Sequence, residues 1–371
     1  MPRIVPPVAA LLLALGLWLG LFGLREARSG DGFDLLYWEL STVANKALFA
    51  LGAPIRDDPP AADALERYFA LDDRYGVEAR ELENIVEAVI EGRVDAAVRE
   101  AGVSFPLALP GALAVWPPVD IEIARSPRVL VSSPRAEIRR AEDRLLRVDL
   151  STRERDTIER EAEARDPSIS VLAIPTGGVA TYPAIVRASA SYGSLVETAA
   201  HEWVHHYLAF YPLGRAIYAD PDGLTINETV ASIAGDELGA AVLARHDDPS
   251  PPRAPAATPT IDRNEVLRDL HSEVDELLAD GRIDEAERRM EEVRQLLEDH
   301  GVYIRRINQA FFAFYGTYAT RGDAIHPLGG QLTEIRERAG SLAHFLELVR
   351  GVTSAADVEA LLARLRDADG A

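Results

Sequence analysis

Cysteine is absent from this sequence of 371 residues, and lysine is nearly absent, since Lys46 is the only one. Without cysteine there is no disulfide framework, catalytic thiolate, Cys-type zinc finger or iron–sulfur ligand. Histidine and carboxylate side chains are then the ligands left for a catalytic metal. Lysine chemistry, such as a Schiff base or a phosphate-binding P-loop, is nearly excluded as well.

Positive charge is also scarce, because 39 Lys and Arg residues face 60 Asp and Glu residues and leave a net charge of −21. A field of this sign repels phosphate backbones, so we expect no nucleic-acid partner, and it disfavours adsorption to anionic lipids. The composition is otherwise typical of a globular chain, with 47% hydrophobic and 27% charged residues. It excludes a wholly disordered or polytopic membrane protein.

One long apolar run is present near the N-terminus, where residues 4–24 carry no charge between Arg3 and Arg25. As a helix this run would reach about 31 Å, which is enough to cross a bilayer. We therefore predict a membrane anchor or signal segment at residues 1–30. We favour an uncleaved single-pass anchor in a bacterial-type cell membrane, with the bulk of the chain outside the cytoplasm. The alternative is a secreted protein whose signal peptide is cleaved near residues 27–29.

Apolar residues at three- and four-residue spacing predict helices over most of the remaining chain. We expect a mainly α protein with a small β-sheet, in the α+β class. Segments 135–165 and 303–320 are both predicted to be helical, and segment 178–182, after a glycine turn, predicts an edge strand. The predicted regions are a helical N-terminal region 31–115, a catalytic core with the sheet 116–245, a proline-rich loop 246–262, and a helical region completing the active-site cleft 263–371.

Three of the eight histidines fall within the stretch His201-Glu202-Trp203-Val204-His205-His206. On a helix, positions i and i+4 share one face, so His201 and His205 can bind one ion while Glu202 flanks it as a general base. No other charge occurs from 198 to 211, which predicts a buried helix in which a metal offsets the cost of burying these side chains. The alternative is a helix with hydrogen-bonded core histidines.

A catalytic zinc ion needs three protein ligands and one open position. The next predicted helix opens with Asn227-Glu228-Thr229-Val230-Ala231-Ser232, after a turn at 220–223. A helix–loop–helix of this length can return Glu228 to the two histidines as the third ligand. Alternatively, Glu228 only favours the N-terminus of its own helix through the helix dipole.

His-Glu-x-x-His followed by Asn-Glu-x-x-Ala/Ser resembles the gluzincins, a group of zinc metallopeptidases whose third ligand is glutamate. More loosely, the chain is similar to a bacterial family of predicted membrane-associated aminopeptidases. The resemblance implies a zincin-like catalytic core with one Zn²⁺ per chain, bound by His201, His205 and Glu228, and Glu202 as the base. It also implies an edge strand that pairs with the substrate backbone, formed here by Gly178, Val179, Ala180, Thr181 and Tyr182.

Many gluzincins place an aspartate four residues after the ligand glutamate, where this chain has Ser232. Asp236 follows one turn later, and either side chain, or a backbone carbonyl, can accept the second imidazole N–H of a ligand. A group that stabilises the oxyanion is also expected, for which we prefer Tyr318 over Tyr315, although both also fit simple aromatic packing. His206 must point away from the ligand face, either toward neighbouring protein groups or to solvent.

These features together predict a membrane-anchored zinc metallopeptidase that hydrolyses a peptide or protein substrate through a zinc-activated water. One alternative is a membrane-tethered helical interaction protein with a structural or degenerate metal site. Another is a zinc hydrolase of non-peptide amides. The sequence leaves open whether cleavage is internal or terminal, although Glu197 is one carboxylate that could hold a free substrate amine, and it leaves the oligomeric state open.

Overall fold

A computed structural model describes residues 30–52, 59–103, 105–106, 113–220, 222–252 and 260–369. The predicted membrane segment 4–24 and residues 253–259 of the proline-rich loop lie outside these ranges. Within them, no helix combines the length and the apolar composition needed to cross a bilayer. The fold is mainly helical with short strands, which confirms the α+β class, but the strands form two three-stranded sheets and one two-stranded pair rather than a single small sheet.

The N-terminal part of the described chain is helical, as predicted. Its three helices are α1 (Leu35–Gly52), α2 (Ala61–Ala70) and α3 (Val77–Glu100), and two short strands, β1 (Phe105–Pro106) and β2 (Leu113–Ala114), follow. In α3 the apolar residues recur every four positions, so that they share one face and are all buried; they are Leu82, Val86, Ile90 and Val94.

The first three-stranded sheet has the order β3-β8-β7, which leaves β7 at an edge. Strand β3 (Ile121–Ala124) runs parallel to β8 (Ala184–Arg187), and β7 (Gly178–Val179) runs antiparallel to β8. The second sheet is antiparallel in the order β5-β4-β6, formed by β4 (Arg128–Pro134), β5 (Glu142–Leu146) and β6 (Ile169–Pro175).

The prediction of helix throughout 135–165 is wrong for its first half. Residues Glu142–Leu146 form the edge strand β5, whose charged residues Glu142 and Asp143 are tolerated because an edge strand has one side open to solvent. The second half does form a helix, α4 (Thr152–Arg165). It begins with a capping box in which the Ser151 and Glu154 side chains satisfy each other's backbone N–H groups.

Two central helices, α5 (Tyr192–Leu208) and α7 (Gly223–Leu243), pack side by side and are joined by the short α6 (Pro212–Ala216). They approach each other closely at Gly235, where an added Cβ would lie 2.8 Å from the Cα of His201. Glycine is therefore required at this position, because any side chain would force α7 away from the histidine-bearing helix.

Six helices complete the chain, and they are α8 (Arg263–Ala279), α9 (Ile283–Asp299), α10 (Gln309–Tyr315), α11 (Leu328–Arg338), α12 (Leu342–Val349) and α13 (Ala355–Asp369). The helix predicted over 303–320 is much shorter than expected. It begins at the Asn308 cap, whose side chain accepts the N–H of Phe311, and it ends at Gly316. The segment that follows is irregular and crosses the central cleft.

The two largest hydrophobic cores of the described residues are built from elements that also line this cleft. The larger combines α2, α3, α5, α7, β3 and β8 with the C-terminal helices α11, α12 and α13. The smaller combines β4 and β6 with α8, α9 and α10. Residues of the predicted region 263–371 therefore belong to both cores. The N-terminal helices α2 and α3 share the larger core with the central helices α5 and α7, on the other side of the predicted boundary at 115.

Candidate metal centre

Two histidines of α5 and one glutamate of α7 converge at the floor of the cleft. The Nε2 atoms of His201 and His205 lie 3.0 Å apart, and Oε2 of Glu228 lies 3.3 Å from each of them. A tetrahedral zinc ion with bonds of about 2.0–2.1 Å places its ligand atoms about 3.3–3.4 Å apart. The observed spacings therefore match a three-ligand site.

The electrostatics of these three residues also favour a cation between them. Oε2 of Glu228 is buried and has no hydrogen-bond partner among the described residues. Burial alone would lower the pKa of His205, but the Glu228 carboxylate outweighs burial and raises that pKa to about 9. Burial alone would raise the pKa of Glu228, but the two histidines hold it well below its usual range. Positive charge is thus stabilised at their centre, and the donor set fits zinc.

The orientation of His205 is set by Asn227, the residue that precedes Glu228. The Nδ1–H of His205 donates to Oδ1 of Asn227 at 2.6 Å, and Nδ2 of Asn227 donates to the carbonyl of Leu213 at 3.5 Å. Because Nδ1 is occupied by this hydrogen bond, Nε2 is the ring nitrogen that faces Glu228 and would bind a metal. This role was not predicted from the sequence, although Asn227 stands in the Asn-Glu pair on which the third ligand was predicted.

Ser232 and Asp236, the residues predicted to orient the other imidazole, both line the cleft on α7. Burial raises the pKa of Asp236, while the charge of His201 opposes that shift. The carboxylate of Asp236 therefore lies within electrostatic reach of His201. Which of the two residues accepts the imidazole N–H stays a prediction.

Glu202, the predicted base, is 6% exposed and lies between the ligands and the edge strand β7. Burial raises its pKa, although the charges of His201 and His205 oppose that shift. A Cβ added at Gly178 of β7 would collide with Oε1 of Glu202, so this glycine permits the close approach of the strand. The carboxylate is thus placed where it can accept a proton beside both the ligands and the strand.

The segment predicted to pair with substrate is only partly a strand. Strand β7 ends at Val179, and the cleft is lined by four of the five predicted residues, namely Gly178, Val179, Ala180 and Tyr182. Thr181 is 1% exposed, and its hydroxyl donates to the carbonyl of Pro183 at 2.6 Å. Thr181 therefore stabilises the turn that follows β7 rather than the cleft surface.

His206 supports the same turn, and the solvent-facing alternative is wrong because this side chain is only 8% exposed. Its Nε2 lies 2.6 Å from the carbonyl oxygen of Thr181, to which it donates, and its ring packs against Tyr182 with centroids 5.1 Å apart. Burial lowers the pKa of His206 to about 4, so the imidazole is neutral at pH 7. This histidine connects α5 to the edge of the sheet.

Tyr318 lies in the irregular segment that crosses the cleft, and its ring centroid is 6.3 Å from that of His201. Thr229 positions it, because its hydroxyl accepts the N–H of Ala319 at 3.2 Å and donates to the carbonyl of Thr317 at 3.5 Å. Burial and the charge of Glu228 raise the pKa of Tyr318, so its hydroxyl remains protonated. Thr229, the residue that follows Glu228, therefore holds Tyr318 beside His201.

Tyr315 also lines the cleft but is occupied by other aromatic and cationic partners. Its ring centroid lies 4.7 Å from that of Phe311, and the guanidinium carbon of Arg321 lies 4.7 Å from the same ring. These contacts are typical of packing, and they favour Tyr318 over Tyr315 as the residue that faces the ligands.

Two charged residues of the cleft were not found by sequence reasoning. Arg140, between β4 and β5, donates to Asp143 at 2.8 Å and to the hydroxyl of Thr317 at 3.5 Å. Glu39 of α1 is fully buried, and burial raises its pKa to about 7. Both line the cleft of about 1110 Å³, which lies between elements of the two cores. No local signal marks them, because each reaches the cleft through packing between distant segments.

A second group of potential ligands lies between α3 and β3. Carboxylate oxygens of Glu83, Glu87 and Glu122 lie within 4.8 Å of one another. This acidic cluster already contains a cation, since Nζ of Lys46 lies 3.6 Å from Oε2 of Glu87 and 2.9 Å from Oε1 of Glu91. Burial alone would lower the pKa of Lys46, but the surrounding carboxylates raise it, so the lysine stays charged.

No family model, curated protein or solved structure matches the chain. The resemblance to gluzincins therefore rests on the motifs of α5 and α7 alone. The spatial convergence of His201, His205 and Glu228 is an independent observation, because the motif spacing does not determine how the two helices pack.

Proposed function

We propose that this protein is a zinc-dependent metallopeptidase with a zincin-like core, in which His201, His205 and Glu228 bind one zinc ion. The observation that carries the proposal is the convergence of their three ligand atoms at 3.0–3.3 Å beside the buried carboxylate of Glu202. A purely structural site is usually closed by four protein ligands and has no use for a base. Here three ligands and a base open onto a large cleft.

When bound, zinc supplies a Lewis acid that makes water nucleophilic near neutral pH and polarises the carbonyl under attack. Glu202 accepts a proton from the attacking water and returns it to the leaving amine. Its raised pKa suits both steps, because a carboxylate with a pKa closer to neutrality is a stronger base and, once protonated, still an acid.

Tyr318 donates a hydrogen bond to the carbonyl oxygen as negative charge develops there. Its hydroxyl is protonated at neutral pH, and Thr229 fixes its backbone. Arg140 adds a fixed positive charge on the same side of the cleft, where its guanidinium lies 4.9 Å from the ring of Phe314.

The edge strand β7 supports a peptide rather than a non-peptide amide as the substrate. It pairs with β8 on one side only, so its other side can pair with an extended peptide. Glu197 is an exposed carboxylate of the cleft that can hold a free substrate amine. A comparison of N-terminally blocked and free peptides measures whether it does so.

The test is metal analysis of the purified full chain combined with hydrolysis of a mixed peptide library. Wild-type protein should contain close to one zinc per chain and cleave peptides. Glu202→Gln should keep that zinc and lose activity by about 10²- to 10⁴-fold, because only the proton transfer is removed. As a matched control, Glu276→Gln removes an exposed carboxylate of α8 and should leave both quantities unchanged.

Three outcomes would contradict the proposal. A wild-type protein that purifies without metal and takes up none on reconstitution has no such site. Zinc retention without cleavage of any peptide would favour the interaction protein with a structural or degenerate site. Cleavage confined to non-peptide amides would keep the mechanism and change the substrate.

A further inference from the structure

The charged side chains of helix α1 face the interior of the protein, whereas those of a surface helix usually face solvent. Its sequence, LLYWELSTVANKALFALG, contains only two charged residues, Glu39 and Lys46. Glu39 is fully buried against the cleft, and Lys46 points inward to the carboxylates of Glu87 and Glu91. A helix on the surface of a soluble protein ordinarily turns its charges outward.

The outward face of α1 is apolar. Five side chains on it are exposed, namely Leu36 (43%), Tyr37 (72%), Leu40 (57%), Val43 (37%) and Leu48 (67%). At about 100° per residue they fall within an arc of roughly 140° on the helix. These five are nearly half of the eleven large hydrophobic side chains that are exposed in the described part of the chain. A contiguous apolar patch of this kind marks a surface that contacts another apolar phase.

The chain enters the fold immediately before this helix. The carbonyl of Asp31 accepts the N–H of Arg147 at 3.0 Å, and the N–H of Phe33 donates to the carbonyl of Leu145 at 3.1 Å. Residues 31–33 are therefore held against strand β5. At about 3.3–3.6 Å per residue, the chain from Leu24, the end of the predicted membrane segment, to Asp31 reaches at most about 25 Å. This tether keeps Asp31 within about 25 Å of the end of the predicted membrane segment, and α1 begins only four residues later, so the surface that carries α1 can reach the bilayer.

We propose that α1 lies along the surface of the bilayer that residues 4–24 are predicted to cross, with its five exposed apolar side chains inserted among the lipids. This inference rests on the predicted membrane segment and is independent of the metal chemistry. The uncharged face and the net charge of −21 specify a zwitterionic rather than an anionic surface. Tyr37 is of the residue type that favours the headgroup level.

The arrangement has a consequence for the cleft. Leu35 and Glu39 line the cleft from the opposite face of α1. One wall of the cleft therefore lies about a helix diameter, roughly 10 Å, from the lipid. A substrate that is anchored in the bilayer and has a segment outside it could place that segment in the cleft while its anchor stays in the lipid.

The absence of cysteine permits a direct test with single labels. The full chain is reconstituted into phosphatidylcholine vesicles, with an environment-sensitive fluorophore on Leu40→Cys, Leu48→Cys, Leu15→Cys or Leu296→Cys. Leu15 lies in the predicted membrane segment, and Leu296 is a matched exposed leucine of α9, 40% exposed. Lipids with brominated acyl chains should quench the labels at 40 and 48 about as strongly as the label at 15, and should leave the label at 296 unchanged.

Quenching at position 15 without quenching at 40 and 48 would overturn the proposal, because the fold would then stand away from the bilayer. Absence of quenching at all four positions would overturn it by removing the membrane segment. A blue shift at position 40 that grows with protein concentration and is insensitive to brominated lipid would assign the face to a second copy of the chain. The zinc content of each variant, measured separately, shows whether the metal centre is intact and keeps this result distinct from a failure of the peptidase proposal.

Discussion

The candidate metal centre and the acidic cluster both bring three potential ligands together, but they differ in what balances their charge. In the candidate metal centre, the charged Glu228 faces two imidazoles, and its Oε2 has no hydrogen-bond partner in the described chain. In the acidic cluster, Lys46, the only lysine of the sequence, already supplies the cation. Proximity of potential ligands is therefore insufficient evidence for a metal. In the candidate metal centre the positive charge beside Glu228 must come from a proton on an imidazole or from a bound ion, whereas in the acidic cluster a lysine side chain already provides it.

The largest effect that separates the two clusters should come from removing one carboxylate from each. Glu228→Gln removes a ligand and should reduce zinc from about one per chain to near zero, with loss of peptide hydrolysis. Glu122→Gln in the acidic cluster should leave the zinc content at the wild-type value. Both are measured by elemental analysis after dialysis, and equal zinc loss in the two variants would break the comparison.

Removal of the lysine should expose the charge that it balances. Lys46→Met leaves the 2%-exposed Glu87 without its cation and should lower the free energy of unfolding by up to about 3 kcal/mol in urea denaturation at pH 7. The cost stays below that of a fixed buried charge, because burial already raises the pKa of Glu87 to about 8 and the carboxyl can protonate. Lys46→Arg keeps the charge and should cost much less. A Lys46→Met protein as stable as the wild type would mean that the cluster does not depend on its cation.

A smaller effect is expected from the residue that orients His205. Asn227→Ala should weaken zinc binding by about 10- to 100-fold, because the imidazole loses the acceptor for Nδ1–H. Asn227→Asp keeps an acceptor and should retain most of the affinity. Competition with a chelator measures both constants, and an unchanged affinity in Asn227→Ala would show that the hydrogen bond does not orient the ligand.

The smallest effect is a pH dependence that belongs to the acidic cluster. Burial raises the pKa of Glu83 to about 8 and that of Glu122 to about 7, so the folded state binds more protons than the unfolded state above pH 4.5. The stabilisation is then complete below pH 4.5 and is lost as the pH rises through 7 to 8. Glu83→Gln should flatten this decline by up to about 1 kcal/mol per pH unit. Parallel unfolding curves at pH 5, 6.5 and 8 for the wild type and the variant measure the difference, which should be near zero if Glu83 ionises normally.

The parts of the site that were predictable are those that depend on local spacing. His201 and His205 share a face because any helix places i and i+4 together, and an apolar run around them indicated burial. The parts that were missed depend on contacts between distant segments. The hydroxyl of Thr229 forms hydrogen bonds with the backbone of Thr317 and Ala319, and Arg140 donates a hydrogen bond to the side chain of Thr317. Nothing in the sequence around Thr229 or Arg140 indicates these partners.

The fold follows the same division. Helices with strong apolar periodicity, such as α3 and α9, agree with the prediction that most of the chain is helical. Strand β5 was mistaken for helix because its five residues, EDRLL, are charged enough to resemble an exposed helix, and its pairing with β4 depends on the whole sheet. The direction of His206 was open for the same reason, since its partner is a carbonyl placed by the β7–β8 turn.

The sequence by itself determined which chemistry is available. Without cysteine, and with two histidines and a glutamate on one stretch of helix, a catalytic metal has histidine and carboxylate as its ligands. Only the tertiary structure decided that Glu228 meets the histidines, that Lys46 fills the acidic cluster, and that α1 turns its apolar face outward. The physical reason is that helix periodicity fixes which residues share a face, whereas packing of distant segments fixes what that face meets.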